Sequence, residues 1–130
     1  MNVKILYYSR SGNTKLVADA IAEAAGVKAV SVTDKDAVIT DDVDVLFVGG
    51  ALYAYGLDKK LKAYLETVPG DKVKKAVVFS TSMMSKHAVD LIKRSLREKG
   101  IAVEEDFFYV KKTASEAQLE EAKAFAKKFL

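Results

Sequence analysis

Residues 9–14 read Ser9-Arg10-Ser11-Gly12-Asn13-Thr14, with three hydroxyls and a side-chain amide grouped around one glycine. The apolar run Val3 to Tyr8 precedes them and a helical pattern follows, so the hexapeptide joins a strand to a helix N-terminus. The first amides of a helix have no partner within it, and the helix dipole favours an anion there. Ser9, Ser11 and Thr14 add hydroxyl donors, and Gly12 lets the backbone approach a ligand closely. A phosphate group is the guest this pattern suits; an ordinary capped turn needs fewer hydroxyls. Other phosphate motifs are missing. There is no Gly-x-x-x-x-Gly-Lys and no Gly-x-Gly-x-x-Gly after the first strand. A phospho-receiver domain would need acidic residues where this chain has Ser9-Arg10, and an aspartate where it has Gly49-Gly50. The chain has no cysteine, which excludes thiolate metal sites, iron–sulfur clusters and cysteine nucleophiles. One histidine, His87, excludes a multi-histidine metal site and argues against a Ser-His-Asp triad.

Short β-branched runs alternate with amphipathic helical patterns, and these elements must position the hexapeptide. Strands are expected at Val3 to Tyr8, Val27 to Val32, Val43 to Val48, Ala76 to Ser80 and Val103 to Val110. Helices are expected at Leu16 to Ala25, Leu57 to Val68, Lys86 to Lys99, and from the capping-box spacing Ser115-Glu116-Ala117-Gln118 onward. The segment Thr33 to Asp42 has room for a helical turn at most. This alternation implies an α/β fold: a three-layer α-β-α sandwich around a five-stranded parallel sheet of order 2-1-3-4-5, one domain over 1–130. Ligands of such sheets bind beyond the carboxyl ends of the strands, at the switch point between strands 1 and 3. That rule selects residues 9–14, the loop from Gly49 to Gly56, and the loop from Ser80 to Lys86.

The hexapeptide resembles the flavodoxin phosphate loop, a Ser/Thr-x-Ser/Thr-Gly-Asn-Thr pattern after the first strand, and the order of elements is similar over the whole chain. The resemblance implies that Ser9, Arg10, Ser11, Gly12, Asn13 and Thr14 wrap the phosphate of flavin mononucleotide (FMN). It makes the second loop, Ala51, Leu52, Tyr53, Ala54, Tyr55 and Gly56, a flank of the flavin. There Gly49 and Gly50 are expected to clear space at the strand end, and Tyr53 or Tyr55 to stack on the isoalloxazine. Gly56 can take a positive φ, which would let a neighbouring peptide flip toward reduced flavin N5. In the third loop, Ser80, Thr81 and Ser82 are expected to bond the pyrimidine edge, and Met83 or Met84 to cover the second face. Flavodoxins typically carry an aromatic and a Gly-Asp pair there, so this loop departs from the family.

The implied function is electron transfer through a non-covalent flavin, with redox proteins or a small redox substrate as partners. A small FMN-dependent oxidoreductase of the protoporphyrinogen-oxidase or quinone-reductase type is the alternative, as is a non-redox module that keeps only the phosphate loop. Net charge is +3 with pI near 9.0, whereas flavodoxins are usually acidic. The lysines fall mostly on exposed helix faces, so nucleic acid is not expected as a partner. The pair Lys111-Lys112 reads as a solvated turn. No apolar run reaches membrane-spanning length, and the N-terminus lacks the shape of a signal peptide, so a cytoplasmic protein is expected.

Overall fold

A computed structural model of the chain describes residues 1–53, 56–82 and 85–130. In chain order the elements are β1 (Val3–Tyr7), α1 (Asn13–Ala25), β2 (Ala29–Ser31), a 3-10 turn (Lys35–Ala37), β3 (Val45–Gly50), β4 (Leu52–Tyr53), β5 (Gly56–Leu57), α2 (Lys59–Thr67), a second 3-10 turn (Gly70–Lys72), β6 (Lys75–Thr81), α3 (His87–Glu98), β7 (Ala102–Val110) and α4 (Glu116–Lys127). Five strands form a parallel sheet of order β2-β1-β3-β6-β7, the expected 2-1-3-4-5 when the short β4–β5 hairpin is set aside. Alternate strand residues point to opposite faces. Ile5, Tyr7, Val45, Phe47, Val77 and Phe79 pack with α1 and α4. Leu6, Leu46, Val48, Ala76 and Val78 pack with α2 and α3. Every residue of β3 is buried, as a strand covered on both faces must be. Among the described residues, no helix is long and apolar enough to cross a membrane.

Element boundaries move where backbone groups are committed elsewhere. β2 begins at Ala29 and not Val27, because Gly26 turns left-handed (φ 73°) and the Val27 amide closes α1 by bonding the Ala22 carbonyl at 3.1 Å. β3 begins at Val45, while Val43 forms an isolated bridge with Val73. The last helix carries the capping box as expected, with Ser115 and Gln118 bonding each other's backbone amides at 3.1 and 2.9 Å.

Between Ala76 and Val78 the β6–β7 register slips, so that Glu104, Glu105 and Asp106 bulge away from the ladder. The buried Lys93 of α3 reaches this bulge and donates to the Glu105 carbonyl at 2.6 Å, with its ammonium 5.0 Å from the Phe107 ring centroid. A carbonyl expelled from the ladder thus regains a partner.

The two glycines ending β3 serve packing, which corrects the expectation that they clear space for a ligand. A Cβ at Gly49 would lie 2.0 Å from the Phe79 ring, and one at Gly50 would lie 2.3 Å from the Leu61 side chain. Their space is filled from the core. Gly49→Ala therefore overpacks a site walled by a fully buried ring and should destabilise the fold by about 1–3 kcal/mol or more. Urea unfolding measures it; a variant as stable as the wild type would contradict this packing.

Candidate functional site

Helix α1 starts three residues earlier than its apolar pattern indicates. Gly12 is its N-cap, in the left-handed region at φ 92°, with no side-chain cap. Asn13 and Thr14 are therefore the first helical residues. The Leu16 amide is the first to bond back, to the Gly12 carbonyl at 3.2 Å. Among the described residues, the amides of Asn13, Thr14 and Lys15 have no acceptor. The Gly12 amide is held by Ser9 Oγ at 2.9 Å, so Ser9 shapes the loop. Thr14 is buried, and its hydroxyl pairs with that of Thr81 at 2.7 Å. One proton serves that bond, which leaves the pair a second one to donate.

Arg10 is directed sideways. Its guanidinium donates twice to Asp58, at 2.8 and 2.5 Å, and lies 4.0 Å above the Tyr53 ring centroid. Its backbone amide donates to the Tyr53 hydroxyl at 3.1 Å. Asp58 is buried and also caps α2, accepting from the Lys60 amide at 2.8 Å. Burial pushes its carboxyl up, but the Lys60 amide and the Arg10 guanidinium outweigh burial and hold it below the usual carboxylate range. This pairing neutralises the Arg10 charge and fixes one face of Tyr53. Asp58 was not legible as a site residue; its signal is N-cap spacing before Lys59, which by itself marks only a helix start.

Ser11, Asn13, Thr14, Ala51, Leu52, Tyr53, Thr81, Ser82 and Lys112 line one concavity of about 190 Å³. All three loops chosen by the switch-point rule contribute. Ala51 is buried, and Leu52, Tyr53 and Gly56 are half-buried in the hairpin. Gly56 is extended, without a positive φ. Ser80 is fully buried opposite Gly50 and Tyr109, and its hydroxyl has no partner among the described residues. Ser82 is anchored through both backbone groups, its amide to the Val110 carbonyl at 3.2 Å and its carbonyl from the Tyr109 hydroxyl at 2.5 Å. The readings of Ala54, Tyr55, Met83 and Met84 lie outside the described residues. His87 is exposed at the start of α3 and is not among the described residues that line the concavity. Lys112, read from sequence as a solvated turn residue, belongs to this lining.

A family model described as Flavodoxin domain matches residues 4–127. No curated protein sequence matches. Among solved structures, a flavodoxin from the domain Archaea is 23% identical with a TM-score of 0.74, covering 99% of this chain and 96% of that one. Oxidised Flavodoxin 1 from Bacillus cereus is 20% identical with a TM-score of 0.78, covering 99% and 97%. The rubredoxin oxygen:oxidoreductase of Desulfovibrio gigas is 19% identical with a TM-score of 0.83; the match covers 98% of this chain but 35% of that protein. At these identities the likeness is one of fold.

Asp58 carries two separable duties. Asp58→Ala removes the cap of α2 and should cost about 1 kcal/mol. Asp58→Asn keeps the cap but loses the charge that holds Arg10, so it should be the milder change in urea unfolding. The folded carboxyl titrates below its unfolded value of 3.8. Its stabilisation is therefore fully present above that value and is lost as pH falls through the lower, folded value. A wild type whose acid sensitivity in this window equals that of Asp58→Asn would contradict the assignment.

Proposed function

This chain belongs to the flavodoxin domain family, and from that premise we propose that it holds FMN, the cofactor of that family, at the carboxyl edge of its sheet and works as an electron-transfer protein. The observation that carries this reading is the unbonded first turn of α1, opening into a concavity that all three loops line. The donor set suits a phosphate ester. It offers backbone amides at a helix N-terminus, the Ser11 hydroxyl, the Asn13 amide, and the spare proton of the Thr14–Thr81 pair.

Each group has a distinct part in the reading. Ser9 fixes the loop through the Gly12 amide, and Gly12 supplies the left-handed turn that keeps side chains clear of the anion. Tyr53, held by Arg10 on one face and through its hydroxyl, is the aromatic wall. A ring ordered in advance loses less freedom when a flat ligand packs on it. Thr81 and Ser82, held against β7, add to the polar lining of the same concavity. FMN, when bound, supplies one- and two-electron transfer. The partners that follow are redox proteins, or a small redox molecule, docking at this same edge of the sheet.

Purified protein loaded with FMN should show a flavin absorption spectrum, and riboflavin, which lacks the phosphate, should bind far more weakly. Thr14→Ala removes a donor to a dianion, worth roughly 1.5–3 kcal/mol, so its FMN Kd should rise about 10–150-fold. Equal Kd values for FMN and riboflavin would refute the phosphate cradle. Tyr53→Ala should weaken binding and reduce quenching of bound flavin fluorescence; unchanged affinity and quenching would remove Tyr53 from the ring wall.

A further inference from the structure

Lys112 is the one described residue other than glycine with a positive φ, 66°. Side chains longer than those of Asn and Asp rarely occupy this region, and such outliers cluster at ligand sites. The loop around it is tied on both sides. Val110 closes the ladder by accepting from the Ser82 amide, and Thr113 Oγ1 donates to Asn13 Oδ1 at 2.9 Å. Beyond that, Ala114 is buried and Ser115 opens the capping box of α4. These anchors bring Lys112 to the rim of the concavity beside Ser11, Asn13 and Thr14.

The charges of the cradle leave a vacancy that Lys112 fits. A phosphate monoester carries about −1.5 to −2 at neutral pH, while a helix N-terminus offers an equivalent of roughly +0.5. The hexapeptide, the first turn of α1 and the lining of the concavity hold one cation each: Arg10, Lys15 and Lys112. Arg10 is committed to Asp58, and Lys15 to Asp19 at 2.7 Å. Lys112 forms no ion pair among the described residues. We propose that Lys112 is the charged ligand of the cofactor phosphate, held in a left-handed turn so that its ammonium compensates the dianion over an otherwise neutral cradle. This rests on the assignment of the concavity to FMN and adds to it a specific consequence: recognition of the phosphate is salt-dependent through one named side chain.

The test titrates FMN and riboflavin into wild type, Lys112→Gly and Lys112→Arg, at about 0.02 M and about 0.5 M salt, where screening differs severalfold in range. Glycine accepts the left-handed backbone, so Lys112→Gly should melt no lower than the wild type, and weak binding cannot then be ascribed to unfolding. Loss of a charge-assisted contact should raise the FMN Kd of Lys112→Gly about tenfold or more at low salt. Its riboflavin Kd should stay within about twofold, since riboflavin offers no dianion. The salt dependence of FMN binding should flatten, and Lys112→Arg should restore most of it. An FMN-to-riboflavin ratio and salt dependence unchanged in Lys112→Gly would overturn the role of Lys112 while leaving FMN binding in place. A wild type that binds neither flavin would overturn the cofactor assignment itself, and this proposal with it.

Discussion

Everything at the carboxyl edge of the sheet depends on β3 being covered on both faces to its very end. Helices on both sides leave no layer in which a side chain at residue 49 or 50 could sit. Phe79 closes over Gly49 from the α1/α4 side, and Leu61 over Gly50 from the α2/α3 side. The strand then ends, still buried, between β1 and β6. The three loops that follow β1, β3 and β6 line one concavity there, and the hairpin β4–β5 follows directly on β3. The glycines shape the site indirectly. They let the core extend right up to it, and a dense core is a rigid base for a binding surface.

Charge at this edge is organised by commitment. Arg10 sits within the phosphate-loop sequence, yet Asp58, 48 residues away in the chain, draws it onto the Tyr53 ring. A cation that is fully paired contributes little net field to a ligand nearby. The positive balance of the chain as a whole thus says little about the field felt inside the concavity. The contrast with acidic flavodoxins is one of overall surface charge.

The architecture was legible because its signals are local and periodic. β-branched runs alternate with amphipathic helices, Gly26 and Gly100 mark helix ends, and the hexapeptide has the composition of an anion cradle. What escaped was long-range. Asp58 and Lys112 join the site only because β3, α2 and β7 are brought together in the folded chain. Gly49 and Gly50 looked like clearance for a ligand, since sequence spacing does not reveal that Phe79 and Leu61 arrive from opposite faces. The first turn of α1 escapes a sequence reading because Asn13, Thr14 and Lys15 carry none of the apolar periodicity that announces a helix.

The sheet has two open rims, and neither invites a further strand. β2 at one rim is three residues long. β7 at the other rim is nine residues long, and a flat strand of that length would be a template for another chain. Its middle is interrupted by the bulge, which carries Glu104, Glu105 and Asp106, and Lys93 holds the expelled Glu105 carbonyl from within. A second chain approaching in register would meet a broken row of backbone groups, flanked by the pairs Lys75–Glu104, Arg97–Glu105 and Lys128–Asp106. By holding that carbonyl, the buried lysine keeps the far rim of the sheet irregular, and an irregular rim is a poor template for strand addition.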